Sequence, residues 1–257
     1  MHFVDQLNST ILLDSKPKRI VSLVPSQTEF LFDIGLEKEV IGITKFCIYP
    51  SHWLKTKTII GGTKNVAIEK VRSLKPDLII GNKEENTKED IEALREIAPV
   101  WMSDIFNLED ALEMMSSIGE IVGKQEETQE LVDNIKGQFD SFKPENLKLS
   151  VLYLIWRKPY IGVANDTFID DMLKRCGFKN ILADQTRYPV LENLSELNPD
   201  VLFLSSEPYP FKEKHIQELY EIFQNAKIIL VDGEMFSWYG SRLSKSVDYF
   251  KWLCTEI

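Results

Sequence analysis

Two blocks of alternating strand and helix patterns flank one helical stretch, and that arrangement limits the folds open to this chain. In the first block "RIVSLV" (19–24), "VIGI" (40–43), "DLIIG" (77–81) and "VWM" (100–102) read as strands. They are short apolar runs bounded by turn residues. A helix is expected from Ser26 to about Gly35, and another over "KEDIEALREI" (88–97). From about Leu108 to Phe142 the alternation stops. "LEDALEMMSSIGEIV" and "KQEETQELVDNIKGQFDSF" are both helical in pattern, with Gly123 between them, and "KPEN" (143–146) ends the stretch. A second alternating block then opens at "LSVLYLI" (149–155). It continues through "DTFIDDMLKRC" (helix), "DVLFLS" (strand), "KEKHIQELYEIF" (helix) and "KIILV" (strand). Repeated strand–helix units build mostly parallel sheets. The expected architecture is therefore α/β, with two α/β lobes of mostly parallel sheets joined by a single long connecting helix and a ligand cleft between the lobes. The expected divisions are an N-terminal lobe over 1–107, a connector over 108–146 and a C-terminal lobe over 147–257.

An internal echo supports two lobes of related build. "IEKVRSLKPDLIIG" (68–81) matches "LENLSELNPDVLFL" (191–204) in its second-position glutamate, in Leu-x-Pro-Asp and in the apolar run that follows. The residue before proline is expected to end a helix in each copy, and the aspartate to open a strand.

Charge and cysteine usage exclude some function classes. The 257 residues carry 40 acidic and 30 basic side chains, a net charge of −10. A general nucleic-acid binder needs a basic face, so no nucleic-acid partner is expected. Cys47, Cys176 and Cys254 are odd in number and form no CxxC pair, so they read as buried thiols. The first twenty residues show neither a basic start nor an apolar core of a signal. Two localisations stay open: the cell envelope if a signal has been removed, or the cytoplasm.

In an open parallel sheet, the loops after the carboxyl ends of the strands line the ligand site. Here those loops include "TKFCIYP" (44–50), "WRKPYIG" (156–162), "TRYPV" (186–190) and "MFSWYGSR" (235–242). They are rich in aromatics and contain Arg157, Arg187 and Arg242, which suits a large flat ligand with acidic or amide groups. Trp238 is expected to be partly exposed as one wall of the cleft. No GxSxG, GxGxxG or phosphate loop is present, and no nucleophile–base pair is visible, so no catalytic residue is assigned and no enzyme is expected. His2, His52 and His215 are scattered. His215 is expected to be solvated on a charged helix, and His52 is open to either a cleft-facing or a plain surface position. No His/Asp/Glu set has metal-ligand spacing.

At "RIVSLVPSQTEFLFDIGL", "IEKVRSLKPDLIIG" and "CGFKNI" the chain resembles the substrate-binding proteins of ABC importers for vitamin B12, haem and ferric siderophores, over about Lys18 to Leu253. The resemblance implies two lobes on a rigid helix, a ligand held in the cleft, and docking on a membrane permease with its ATPase. It implies a monomer with no cofactor of its own, whose ligand is cobalamin or another metal chelate. In vitamin B12-binding members one glutamate per lobe pairs with permease arginines, and those positions match Glu69 and Glu192 here. Cleft positions match Ser26, Phe46, Thr63, Asn82, Tyr160, Tyr188, Glu234 and Trp238, with Arg187, Tyr239 and Arg242 added from the same loops. Thr63 and Asn82 stand where those members have tryptophans, so haem and siderophore ligands stay open. For haem, Tyr49, Tyr160 or Tyr188 would supply the iron ligand, and Arg157, Arg187 or Arg242 would hold the acidic groups.

Overall fold

The computed structural model describes residues 1–144 and 149–257. These form two compact units. One comprises Met1–Ile105, Glu109–Ile135 and Tyr239–Arg242; the other comprises Phe106–Leu108, Lys136–Trp238 and Leu243–Ile257. The connector end expected at residue 146 lies outside the described residues.

The first unit begins with an antiparallel hairpin, β1 (His2–Val4) and β2 (Thr10–Leu12). There follow β3 (Ile20–Ser22), α1 (Pro25–Asp33), β4 (Val40–Ile43), α2 (Trp53–Thr56), β5 (Thr58–Ile59), β6 (Gly61–Gly62), β7 (Asn65–Val66), α3 (Ile68–Leu74), β8 (Leu78–Asn82), α4 (Lys88–Arg95), β9 (Val100–Ser103) and α5 (Leu108–Ile121). The main sheet has the order β5-β4-β3-β8-β9, and every pairing in it is parallel. Strands β3 and β8 are buried along their whole length, as expected of parallel strands covered on both faces. Helix α1 starts with Pro25 at its first position, where the missing N–H costs nothing. Thr87 caps α4 by accepting the Asp90 N–H at 3.2 Å.

Helix α6 (Gln125–Ser141) follows α5 across Gly123, whose φ of +64° is open to glycine at little cost. The second unit then contains β10 (Ser150–Trp156), β11 (Tyr160–Gly162), α7 (Phe168–Arg175), β12 (Lys179–Asn180), β13 (Val190–Leu191), β14 (Val201–Ser205), α8 (Glu213–Tyr220), β15 (Lys227–Val231), α9 (Glu234–Ser237) and α10 (Leu243–Thr255). Its sheet runs β13-β11-β10-β14-β15, with β12 also on β10. The pairings of β10 with β12 and β14, and of β14 with β15, are parallel. Strands β11 and β13 add antiparallel pairs.

The echoed segments share one structural device. The Asp77 carboxylate accepts the N–H groups of Lys18 and Arg19, each at 2.8 Å, at the start of β3. The Asp200 carboxylate accepts the N–H and hydroxyl of Ser150, each at 2.7 Å, at the start of β10. These bonds from Ser150 hold the Asp200 carboxyl below its usual range. The helices before the two aspartates differ. The first copy forms α3 and ends at Lys75, which has φ +48° just before Pro76. The second was expected to be a helix too, but only a 3-10 turn forms, over Leu194–Glu196. The reason is that Val190 and Leu191 are drawn into the sheet opposite Ile161 and Tyr160.

Candidate functional site

In the first unit Ser26 and Phe46 follow the carboxyl ends of β3 and β4 and Asn82 ends β8, the edge at which open α/β sheets take ligands, while Thr63 lies in the turn of the β6–β7 hairpin. Their side chains behave differently. The loop after β4 is pegged by Cys47, which is fully buried. Its sulfur receives the Thr28 hydroxyl at 3.1 Å and lies 3.2 Å from the Thr44 hydroxyl. Burial raises the thiol's pKa, so it stays a neutral peg. With Cys47 turned in, its neighbours turn out: Phe46 is 50% exposed, and Ile48 and Tyr49 are also exposed. Lys45 Nζ sits 5.0 Å from the Phe46 ring centroid.

Asn82 is buried, and its side chain folds back on its own loop. Its Oδ1 accepts from the N–H groups of Glu84 and Glu85, and its Nδ2 donates to Ser103 Oγ at 2.9 Å. Asn86 links Asn82 to Thr63: its Oδ1 accepts the Asn82 N–H at 2.9 Å and its Nδ2 donates to the Thr63 carbonyl at 2.9 Å. These bonds hold two strand-end loops together. Glu85, in the same loop, has its pKa raised by burial and by neighbouring Glu84.

Residues 239–242 belong to this unit although they are far away in sequence. Arg242 donates from Nε and Nη2 to the two carboxylate oxygens of Glu29, at 2.8 and 2.7 Å. Both side chains are buried. The Tyr49 ring covers the guanidinium, with its centroid 4.3 Å from Cζ. Gly240 passes so close to Ser26 that a Cβ there would lie 2.9 Å from the Ser26 carbonyl oxygen. Two carboxylate bonds, a ring face and burial make Arg242 part of the unit's framework. Glu29 is a partner that sequence reasoning missed, since no local pattern links positions 213 residues apart.

In the second unit Tyr160 lies on β11 and donates its hydroxyl to Glu218 Oε1 at 3.0 Å. The same carboxylate takes Arg157 in a fork, Nη2 to Oε1 at 2.7 Å and to Oε2 at 2.6 Å. Arg157 holds the Glu218 carboxyl below its usual range. Burial, then Glu218, pushes the Tyr160 phenol up, so Tyr160 remains a protonated donor. Arg187 stacks between the rings of Phe106 and Tyr188, 5.6 and 5.9 Å from their centroids, and donates to the Asp166 carbonyl at 3.1 Å. Glu234 is half-buried at the start of α9.

Two expectations need correction. Trp238 is only 6% exposed rather than partly solvent-facing, because its indole N–H donates to Glu207 Oε1 at 2.9 Å. Tyr239 beside it is buried as well. His215 is buried rather than solvated. Its Nδ1 accepts the Lys212 N–H at 2.8 Å, capping α8, and its Nε2 lies 3.2 Å from the Tyr209 hydroxyl. Burial, reinforced by Lys214 and Arg157, lowers its pKa, so the imidazole is held neutral. His52 is exposed, 3.4 Å from Glu37 Oε1, with its ring edge to face against Phe32. Glu69 and Glu192 are both exposed, and Glu69 pairs loosely with Arg72 at 3.3 Å. A cavity of about 560 Å³ lies between β2 and residues 95–100, away from every candidate residue. Among the described residues no cluster of three His, Cys, Asp or Glu side chains is arranged to hold a metal ion, and no helix is long and apolar enough to cross a membrane.

The periplasmic binding protein family model matches residues 20–226, so the chain belongs to that family. This is a transport class rather than an enzyme class, and the protein is a substrate-binding protein of the ABC-importer type. The chain is similar to the uncharacterised ABC transporter substrate-binding lipoprotein YvrC of Bacillus subtilis, with 30% identity over 77% of this chain and 67% of that one. It is similar to the vitamin B12-binding protein of Vibrio campbellii, with 26% identity over 73% of this chain and 70% of that one. In fold it is similar to the periplasmic heme-binding protein HutB of Vibrio cholerae. The TM-score is 0.76 at 21% identity, covering 91% of this chain and 98% of that one.

Proposed function

We propose that this protein works in the cell envelope as a monomer, captures a flat metal-chelate macrocycle of the cobalamin type, and delivers it to an ABC permease driven by its ATPase. The observation that carries the ligand class is the exposed aromatic surface at the strand ends, above all Phe46 and Tyr49 on the Cys47-pegged loop. Large rings presented on a fixed loop suit a broad apolar ligand, because little side-chain freedom is lost on contact. Vitamin B12-binding relatives support the corrinoid reading. Ser26, Thr63, Asn82, Tyr160, Arg187, Tyr188, Glu234, Trp238, Tyr239 and Arg242 complete the proposed ligand region. Those that are buried act by holding its loops.

Purified protein titrated with cobalamin, haem and a ferric siderophore, followed by tryptophan fluorescence and visible absorption, is expected to bind cobalamin most tightly. Saturable binding to haem or the siderophore alone would overturn the ligand and leave the class standing. Absence of binding to all three would overturn the reading. A haem ligand has one observation in its favour: Tyr49, a residue type that can ligate haem iron, is 38% exposed with its ring on the guanidinium of Arg242. In that case Tyr49→Phe abolishes the phenolate-to-iron charge-transfer absorption of the haem complex.

Permease docking is assigned to Glu69 and Glu192, which carry the echoed glutamate in the two copies of the internal repeat. Changing both to Ala is expected to leave ligand affinity within about twofold and to weaken permease binding at least tenfold, through loss of charge-assisted contacts. Impaired ligand binding in the double variant would refute the assignment.

A further inference from the structure

Trp156 ends β10, where the chain leaves the carboxyl edge of the second unit's sheet. It is 40% exposed, a large fraction for the largest side chain. The ring is nevertheless fixed. It stands edge to face on Tyr209, with centroids 5.8 Å apart. Tyr209 in turn packs on Phe211 at 4.9 Å and on His215 at 5.5 Å, and its hydroxyl lies 3.2 Å from His215 Nε2. The main chain on the other side of Trp156 is fixed too. Arg157 and Tyr160, at the two ends of the turn after β10, both bond to Glu218. His215 and Glu218 are three residues apart on α8 and share one face of it. One helix face therefore grips both the ring under Trp156 and the turn that carries it.

We propose that Trp156 is a ligand-contact residue that stacks on the flat face of a corrin or porphyrin ring, and that Glu218 is the positioning residue that holds it ready. The proposal rests on the macrocycle reading of the ligand given above. Trp252 is also exposed and also lies against a tyrosine, Tyr249, with centroids 5.4 Å apart, but it is on α10, outside the strand-end loops. An exposed indole held rigid on a strand end presents a large apolar face without paying to order it. Because Arg157 and Tyr160 are committed to Glu218, the second unit offers the ligand a ring face here, not a free cation or a tyrosinate.

The test uses cyanocobalamin and haemin as probes, titrated by visible absorption against wild type, Trp156→Ala, Trp156→Phe, Trp252→Ala, Glu218→Gln and the Trp156→Ala/Glu218→Gln double variant. Trp156→Ala is expected to weaken binding of the preferred probe about tenfold, the scale of losing one stacked aromatic. Trp156→Phe is expected to recover part of that loss, and Trp252→Ala to bind like wild type. Glu218→Gln is expected to weaken binding severalfold alone and to add little to Trp156→Ala, since a positioning residue has nothing left to position. Wild-type affinity in Trp156→Ala would overturn the contact while leaving the macrocycle reading intact. Equal losses in Trp156→Ala and Trp252→Ala would also overturn it. Fully additive losses in the double variant would overturn the role of Glu218. A wild-type protein that binds neither probe would defeat the macrocycle reading itself, and this proposal with it.

Discussion

Arg242→Ala loses about 3–5 kcal/mol of stability, because it takes the forked partner away from a buried carboxylate, that of Glu29. Both side chains of this pair are under 9% exposed, and Arg242 reaches both carboxylate oxygens. The substitution also removes the contact between the guanidinium and the Tyr49 ring. Glu29→Leu combined with Arg242→Met costs far less, since paired apolar replacement removes both charges together. Denaturant melts of the two proteins measure the difference directly. If Arg242→Ala melted like wild type while binding ligand poorly, the arginine would be a solvated ligand group and not a structural one. The pair thus separates a framework arginine from a ligand arginine, a distinction that "YGSR" alone does not carry.

Trp238→Ala is expected to cost about 3–5 kcal/mol, the usual range for emptying a buried tryptophan site. The indole also donates to Glu207, which receives the Ser237 hydroxyl as well. Trp238→Phe keeps much of the volume and drops only the N–H, so its cost should be about 1–3 kcal/mol, that of one bond to a charged acceptor. The measured order is therefore wild type, then Phe, then Ala. A Trp238→Ala protein as stable as wild type would show that the indole is not an integral part of the packed second unit.

The parallel strands were legible because apolar runs bounded by turn residues leave few alternatives. "VIGI" and "KIILV" form strands over the residues read from the pattern. The break at Gly123 was legible for a related reason: the helical pattern stops there, and glycine accepts the positive φ that ends α5. The echoed Pro-Asp was legible as a repeat, and each aspartate does clamp the start of a neighbouring strand. The helix expected in the second echo did not form. Sheet pairing with β11 took Val190 and Leu191, and a sequence window of that length cannot see a partner some thirty residues away. The hairpin β1–β2 escaped notice for want of a clear alternating pattern in three-residue strands.

The candidate region was legible only as a set of loops. Which side chains face outward depended on partners distant in sequence. Phe46 and Tyr49 are exposed because Cys47 is drawn inward to Thr28 and Thr44. His215, on a helix that reads as charged, is buried because the Lys212 N–H and Tyr209 satisfy both its nitrogens.

By itself, then, the sequence determined the α/β class, the order of its elements and the aromatic character of the strand-end loops. Those properties follow from periodicity and composition, which are local. Tertiary structure alone decided that Arg242 answers Glu29, that Trp238 answers Glu207 and that Trp156 stands exposed on Tyr209. A buried charge or a buried N–H must find its partner wherever folding brings one within hydrogen-bond reach, and that pairing is a property of three-dimensional proximity that no spacing along the chain encodes.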